Sequence, residues 1–62
     1  MNVWIKISDQ MPDPMTPVLI AWAGYPTVTL GWRAGAFWFD RLGVVTWMQP
    51  THWMPLPQPP SA

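Results

Sequence analysis

The chain has no cysteine, so neither a disulfide framework nor a thiolate metal site can be built from it. Charge is almost as scarce. Lys6, Arg33 and Arg41 stand against Asp9, Asp13 and Asp40, which makes 10% charged residues and no net charge, where an average domain carries about 25%. A protein that tracks phosphates shows a basic patch, so neither DNA nor RNA is an expected partner. One histidine and three acidic residues fall short of the ligand sets that zinc sites use, and no metal or other cofactor is expected. No apolar run reaches the roughly eighteen residues of a membrane-spanning helix. No basic segment precedes an uninterrupted apolar stretch, so no signal peptide is visible. No membrane partner is expected.

What the chain has instead is grease and proline. Half of its 62 residues are apolar, six of them Trp, and nine further residues are Pro. One small domain over 1–62 is expected, in three zones. Residues 1–17 hold a β-prone run, Val3–Ile7, and then Pro12, Pro14 and Pro17, a spacing that excludes a helix and favours an extended path. Residues 18–54 carry the strand signals. Residues 55–62 read as a polyproline II tail, with Pro55–Pro57 packing on Trp rings and Ser61-Ala62 disordered.

Within the middle zone, Val18–Ala23 is a short continuous apolar run, suited to a buried strand. Gly24-Tyr25-Pro26 supplies a turn. Thr27–Arg33 alternates, with Val28, Leu30 and Trp32 on one side and Thr27, Thr29 and Gly31 on the other. Ala34-Gly35 predicts a hairpin turn into Ala36–Phe39. Val44–Gln49 predicts a fourth strand, and Pro50 a bend or edge before Thr51–Met54. The fold class is all-β: an antiparallel meander of four to five short strands with Pro-rich extended termini. Such a sheet has two apolar faces and no second layer. A chain this small, without disulfide or metal, is usually stabilised by self-association, so a homo-oligomer is expected.

Both ends of the chain carry a recognisable pattern. Trp4-Ile5, Asp9 and Met11-Pro12 resemble a W-I-x-x-x-D-x-x-P opening, and Thr51–Pro60 resembles a T-H-W-M-P-L-P-x-P-P ending. Pro17–Ile20 is similar to the V-L-V strand between them, and Gly31 with Gly35–Trp38 to the family's middle. These are features of the small proteins catalogued as Domain of Unknown Function 551, and the resemblance spans essentially the whole chain. It implies a phage or prophage origin, a setting in the bacterial host cytoplasm and an accessory role; it implies no activity.

The residues themselves point away from catalysis. His52 lacks a nucleophile to serve. Asp9 can reach it only if the first strand pairs with Thr51–Met54, and such a pair more often fixes a corner of a fold. Asp9 and Asp13 sit in a Pro-rich segment where Asp ordinarily caps turns. The four glycines fall singly along the chain, so no Gly-rich phosphate loop exists. No catalytic residue is assigned, and the protein is read as a non-enzyme.

The tryptophans are the richer signal. A sheet this small cannot bury all six rings, and exposed Trp beside Arg marks binding surfaces. Trp32, Arg33, Trp38, Arg41, Trp47, His52 and Trp53 are the candidate binding residues. The function expected is stoichiometric binding; the family resemblance, not the residues, implies a host-takeover or anti-defence inhibitor of a bacterial host protein. The alternative is an oligomeric sponge that holds a small anionic nucleotide between aromatic rings and arginines at a subunit interface.

Overall fold

Five strands form where the apolar and β-branched runs lie. β1 spans Ile5–Lys6, β2 Val18–Ala21, β3 Val28–Ala34, β4 Phe37–Asp40 and β5 His52–Pro55. A computed structural model describes residues 3–46, 48–57 and 59–60; Trp47 and the Ser61-Ala62 end lie outside them. All pairings are antiparallel, in a single sheet of order β1-β5-β2-β3-β4. The described residues contain no helix. The domain is all-β.

Consecutive strands β2, β3 and β4 make the meander, while β5 returns across the molecule to lie between β1 and β2. The hairpin between β3 and β4 pairs Ala34 with Phe37, so its two-residue loop is Gly35-Ala36, one position later than the sequence spacing predicts. Gly35 has φ 62° and Ala36 is not in the positive-φ region, the pattern of a type II′ turn, which needs glycine first. Val44–Gln49, expected as a strand, makes an isolated bridge from Val45 to Phe39 and no further ladder among its described residues, Trp47 not being one of them. The chain must leave the β4 edge there to reach the position of β5, so most of this segment cannot stay in the plane of the sheet. Pro55 closes β5 opposite Val18. Pro55, Leu56 and Pro57 stay exposed, rather than packing on Trp rings.

Side chains alternate across each strand, and the register sorts them. On one face lie Val18 and Ile20 of β2, Trp53 of β5 and Trp38 of β4, the buried core, with Ile5, Ile7 and Trp22 packed against it. Gly31 sits opposite both Val18 and Asp40 on this face. A Cβ there would lie 2.6 Å from Ile20 Cδ1 and 2.6 Å from the Phe39 carbonyl oxygen. The missing side chain is what lets Ile20, with no exposed surface, lie flat across the sheet.

No second sheet covers this core; two irregular connections do. The β1–β2 connection crosses it, held by the Trp53 indole N–H donating to the Gln10 carbonyl at 2.8 Å and by Arg33 Nε donating to Pro12 at 3.1 Å. The β4–β5 connection crosses further along, where the Trp22 indole N–H donates to the Met48 carbonyl at 2.8 Å. Pro12 and Pro50, one in each strap, are buried. Prolines suit this role because they pack as apolar groups and bring no backbone N–H that needs a partner.

Among the described residues, no hydrogen-bonded segment covers the opposite face in this way. It carries Leu19, Leu30, Trp32, Phe37, Phe39 and Met54, with Trp32 stacked on Phe39 at 6.1 Å between ring centres. Met54 is buried among its neighbours, whereas Phe37 is 63% and Val28 56% exposed. Lys6, on the outermost strand β1, is the one charged strand residue on this side.

Candidate functional site

A cleft of about 540 Å³ opens on the strapped side, where β2 runs out. Two short turns make its walls, and local chemistry locks both. In the first, Gly24 at φ 85° lets the chain reverse so that the Tyr25 amide donates to the Trp22 carbonyl at 3.0 Å. In the second, Asp40 Oδ1 accepts the amides of Leu42 at 2.9 Å and Val44 at 3.1 Å. The Asp40 carbonyl accepts the Gly43 amide at 2.9 Å, with Gly43 at φ 76°. Asp40 therefore organises the turn, an ordinary task for aspartate, and the turn presents Arg41 outward.

The cleft is lined by Trp22 and Tyr25, by the hydroxyl residues Thr27, Thr29 and Thr46, and by Asp40 and Arg41, with Leu42, Val44, Val45 and Met48 filling the remainder. The Trp22 ring is fixed by its bond to Met48. Tyr25 is 55% exposed and stands at the rim. Arg41 is exposed and makes no hydrogen bond to the described residues. Volume, aromatic walls and a few convergent polar groups are the properties of small-molecule sites. A smaller hollow of about 210 Å³ lies between Trp4, Trp22 and His52.

The residues singled out from the sequence are dispersed. Trp38 and Trp53 are 3% and 7% exposed and belong to the core, out of reach of any partner. Trp32 lies on the uncovered face, while its neighbour Arg33 lies on the strapped face. There Arg33 bonds Pro12 and Gly35 and its carbonyl accepts the Met15 amide; it is an anchor for the strap. His52 sits opposite Lys6 on β1, the pairing that would have brought Asp9 near it. Its Nδ1 instead lies 2.8 Å from Thr51 Oγ1. Arg41 alone reaches the cleft, and Trp47 is outside the described residues. Sequence reasoning missed Trp22, Tyr25, Thr27, Thr29 and Asp40; the aromatic set in Gly24-Tyr25-Pro26 was the signal available. Among the described residues no three His, Cys, Asp or Glu side chains gather as metal ligands would.

The family model for a protein of unknown function (DUF551) matches residues 3–61. The chain belongs to that family. No curated protein and no solved structure matches it. The match runs from β1 to beyond β5, so both straps and both cleft turns of this DUF551 chain fall within the family's extent.

Proposed function

We propose that this DUF551 protein is a non-enzymatic binding protein that acts by stoichiometric association with a bacterial host protein, in the manner of a phage accessory inhibitor. The observation that carries the reading is the uncovered sheet face. It combines the stacked Trp32–Phe39 pair with Leu19, Leu30 and the exposed Phe37, and from β5 to β4 the strands place no charged residue on this face, Arg33 and Asp40 lying on the other. Continuous apolar surface of this kind marks association sites, and aromatic anchors supply most of the energy at such surfaces. In isolation the same face pairs two copies, because a second copy offers the same apolar surface in the same concentration.

The test is capture from bacterial lysate with the wild-type chain and with Trp32→Ser and Phe37→Ser, alongside light scattering of each. The reading expects a dimer in isolation, a one-to-one partner from lysate, and loss of both in the two variants. Monomeric wild-type protein that retains no partner would overturn it. The alternative expectation, a nucleotide held between Trp and Arg at a subunit interface, is supported only by Arg41. Trp32 and Arg33 face opposite ways, and Trp38 is buried.

A further inference from the structure

We propose that the cleft between the 22–25 and 40–44 turns binds a planar aromatic heterocycle that carries an N–H donor and an anionic group. This goes beyond association through the uncovered face, which lies on the other side of the sheet. Three observations carry it. The ring surfaces of Trp22 and Tyr25 line one cleft, and stacking on such rings is the common way to hold a flat ligand. The Trp22 ring is already immobilised by its bond to Met48, and both turns are closed by their own backbone bonds, so little ordering remains to be done on binding. The polar groups have a polarity to them. Asp40 uses Oδ1 to hold its turn, while Oδ2 has no partner among the described residues; as a carboxylate oxygen it is an acceptor left free for a ligand N–H. Arg41, exposed at the edge and without a hydrogen bond to the described residues, is a donor fork with spare capacity for a phosphate or carboxylate.

The ring thus enters with its N–H edge toward Asp40 and its anionic tail toward Arg41. Thr27 and Thr29 supply hydroxyls that either donate or accept. Two natural sources offer this chemistry: nucleotides, and aromatic carboxylates of the indole type. AMP and indole-3-acetate are the probes for the two, with adenosine as the uncharged control. Each is titrated into the full chain by calorimetry, and by NMR observation of the Trp22 indole N–H resonance.

At least one of the two anionic probes is expected to bind with Kd below about 1 mM and to shift the Trp22 indole signal while that of Trp32 stays in place. Arg41→Ala should weaken it at least tenfold, and adenosine should bind at least tenfold more weakly than AMP if AMP is the ligand. Tyr25→Ala should weaken either probe, since one stacking surface is gone. Arg41 and Tyr25 donate no side-chain hydrogen bond within the described fold, so both variants keep the melting transition of the wild type. Neither probe binding, or binding unchanged by Arg41→Ala, overturns the proposal. Binding that is lost in Phe37→Ser but kept in Arg41→Ala places the ligand on the other face and also overturns it.

Discussion

Replacing Gly31 with alanine should destabilise this protein, against the usual direction of that change. A glycine inside a strand ordinarily costs about 0.5–1 kcal/mol relative to alanine, through chain entropy, so the swap at an open strand position gains stability. At Gly31 the new methyl would stand 2.6 Å from Ile20 Cδ1 and from the Phe39 carbonyl oxygen, where carbon contacts are comfortable at about 3.5–4.0 Å. Ile20 is fully buried, and the oxygen belongs to β4, paired to β3 on either side of this point. Overpacking of this order costs about 1–3 kcal/mol. A domain of 62 residues has roughly 3–9 kcal/mol in all, so a third of its stability is at stake. Each kcal/mol lowers the melting temperature by about 4–8 °C at this size.

Urea denaturation followed by Trp fluorescence measures the loss. The double variant with Ile20→Val then separates the two contacts. Ile20→Val alone costs about 0.5–1.5 kcal/mol. If the Ile20 methyl is the main obstacle, the pair should cost at least about 0.5 kcal/mol less than the sum. If the carbonyl is, the costs should add. A Gly31→Ala protein as stable as the wild type, or more so, would refute the packing argument outright.

Other expectations follow from the same geometry. Trp53→Phe keeps an aromatic core residue but leaves the Gln10 carbonyl without its donor; a loss of about 1–3 kcal/mol is expected by chemical denaturation, less than the about 3–5 kcal/mol of Trp53→Ala. Thr51 ties three strands together. Its amide donates to Ala21, its carbonyl accepts from Ile7, and its hydroxyl accepts the Ala23 amide at 2.7 Å. Thr51→Val should therefore speed hydrogen exchange at Ala23 and cost about 0.5–1.5 kcal/mol, with Thr51→Ser restoring most of it. Met15 sits at φ 61° in the strap and is 65% exposed. Left-handed backbone costs a side-chain-bearing residue about 1–2 kcal/mol, and glycine gives back about 0.4–1 through the unfolded chain. Met15→Gly should thus match or exceed the wild type in thermal melts while the β-branched Met15→Val falls below it.

Strands were legible where local pattern and global position agreed. The apolar run of β2, the alternation of β3 and the turn signal at Gly35 each needed no knowledge of distant residues. Val44–Gln49 was misread because its β-propensity is real but its destination is not local: the chain has to carry β5 to the far side of β2. The position of β5 inside the sheet is set by pairings between residues more than thirty positions apart, such as Ile20 with Trp53, and no periodicity encodes those. The site was harder. Trp32 and Arg33 look like a binding pair because they are adjacent, yet adjacency within a strand sends two side chains to opposite faces. The parity that separated them was visible in the alternation of Val28, Leu30 and Trp32. The cleft is assembled from two turns fifteen or more residues apart, and only the fold brings them together.

The placement of β5 also governs how the molecule comes into being. β1 has no neighbour except β5, and β2 has β3 alone until β5 arrives. A growing chain can close the local β2–β3–β4 hairpins early, since such contacts form in microseconds. The first strand must wait beside them, unpaired, until residues 52–55 have left the ribosome. Long-range closure of this kind slows folding. Until then the core is an open sheet without Trp53 or the β4–β5 strap, and the rings of Trp22 and Trp38 are available to any chaperone that recognises exposed aromatic side chains.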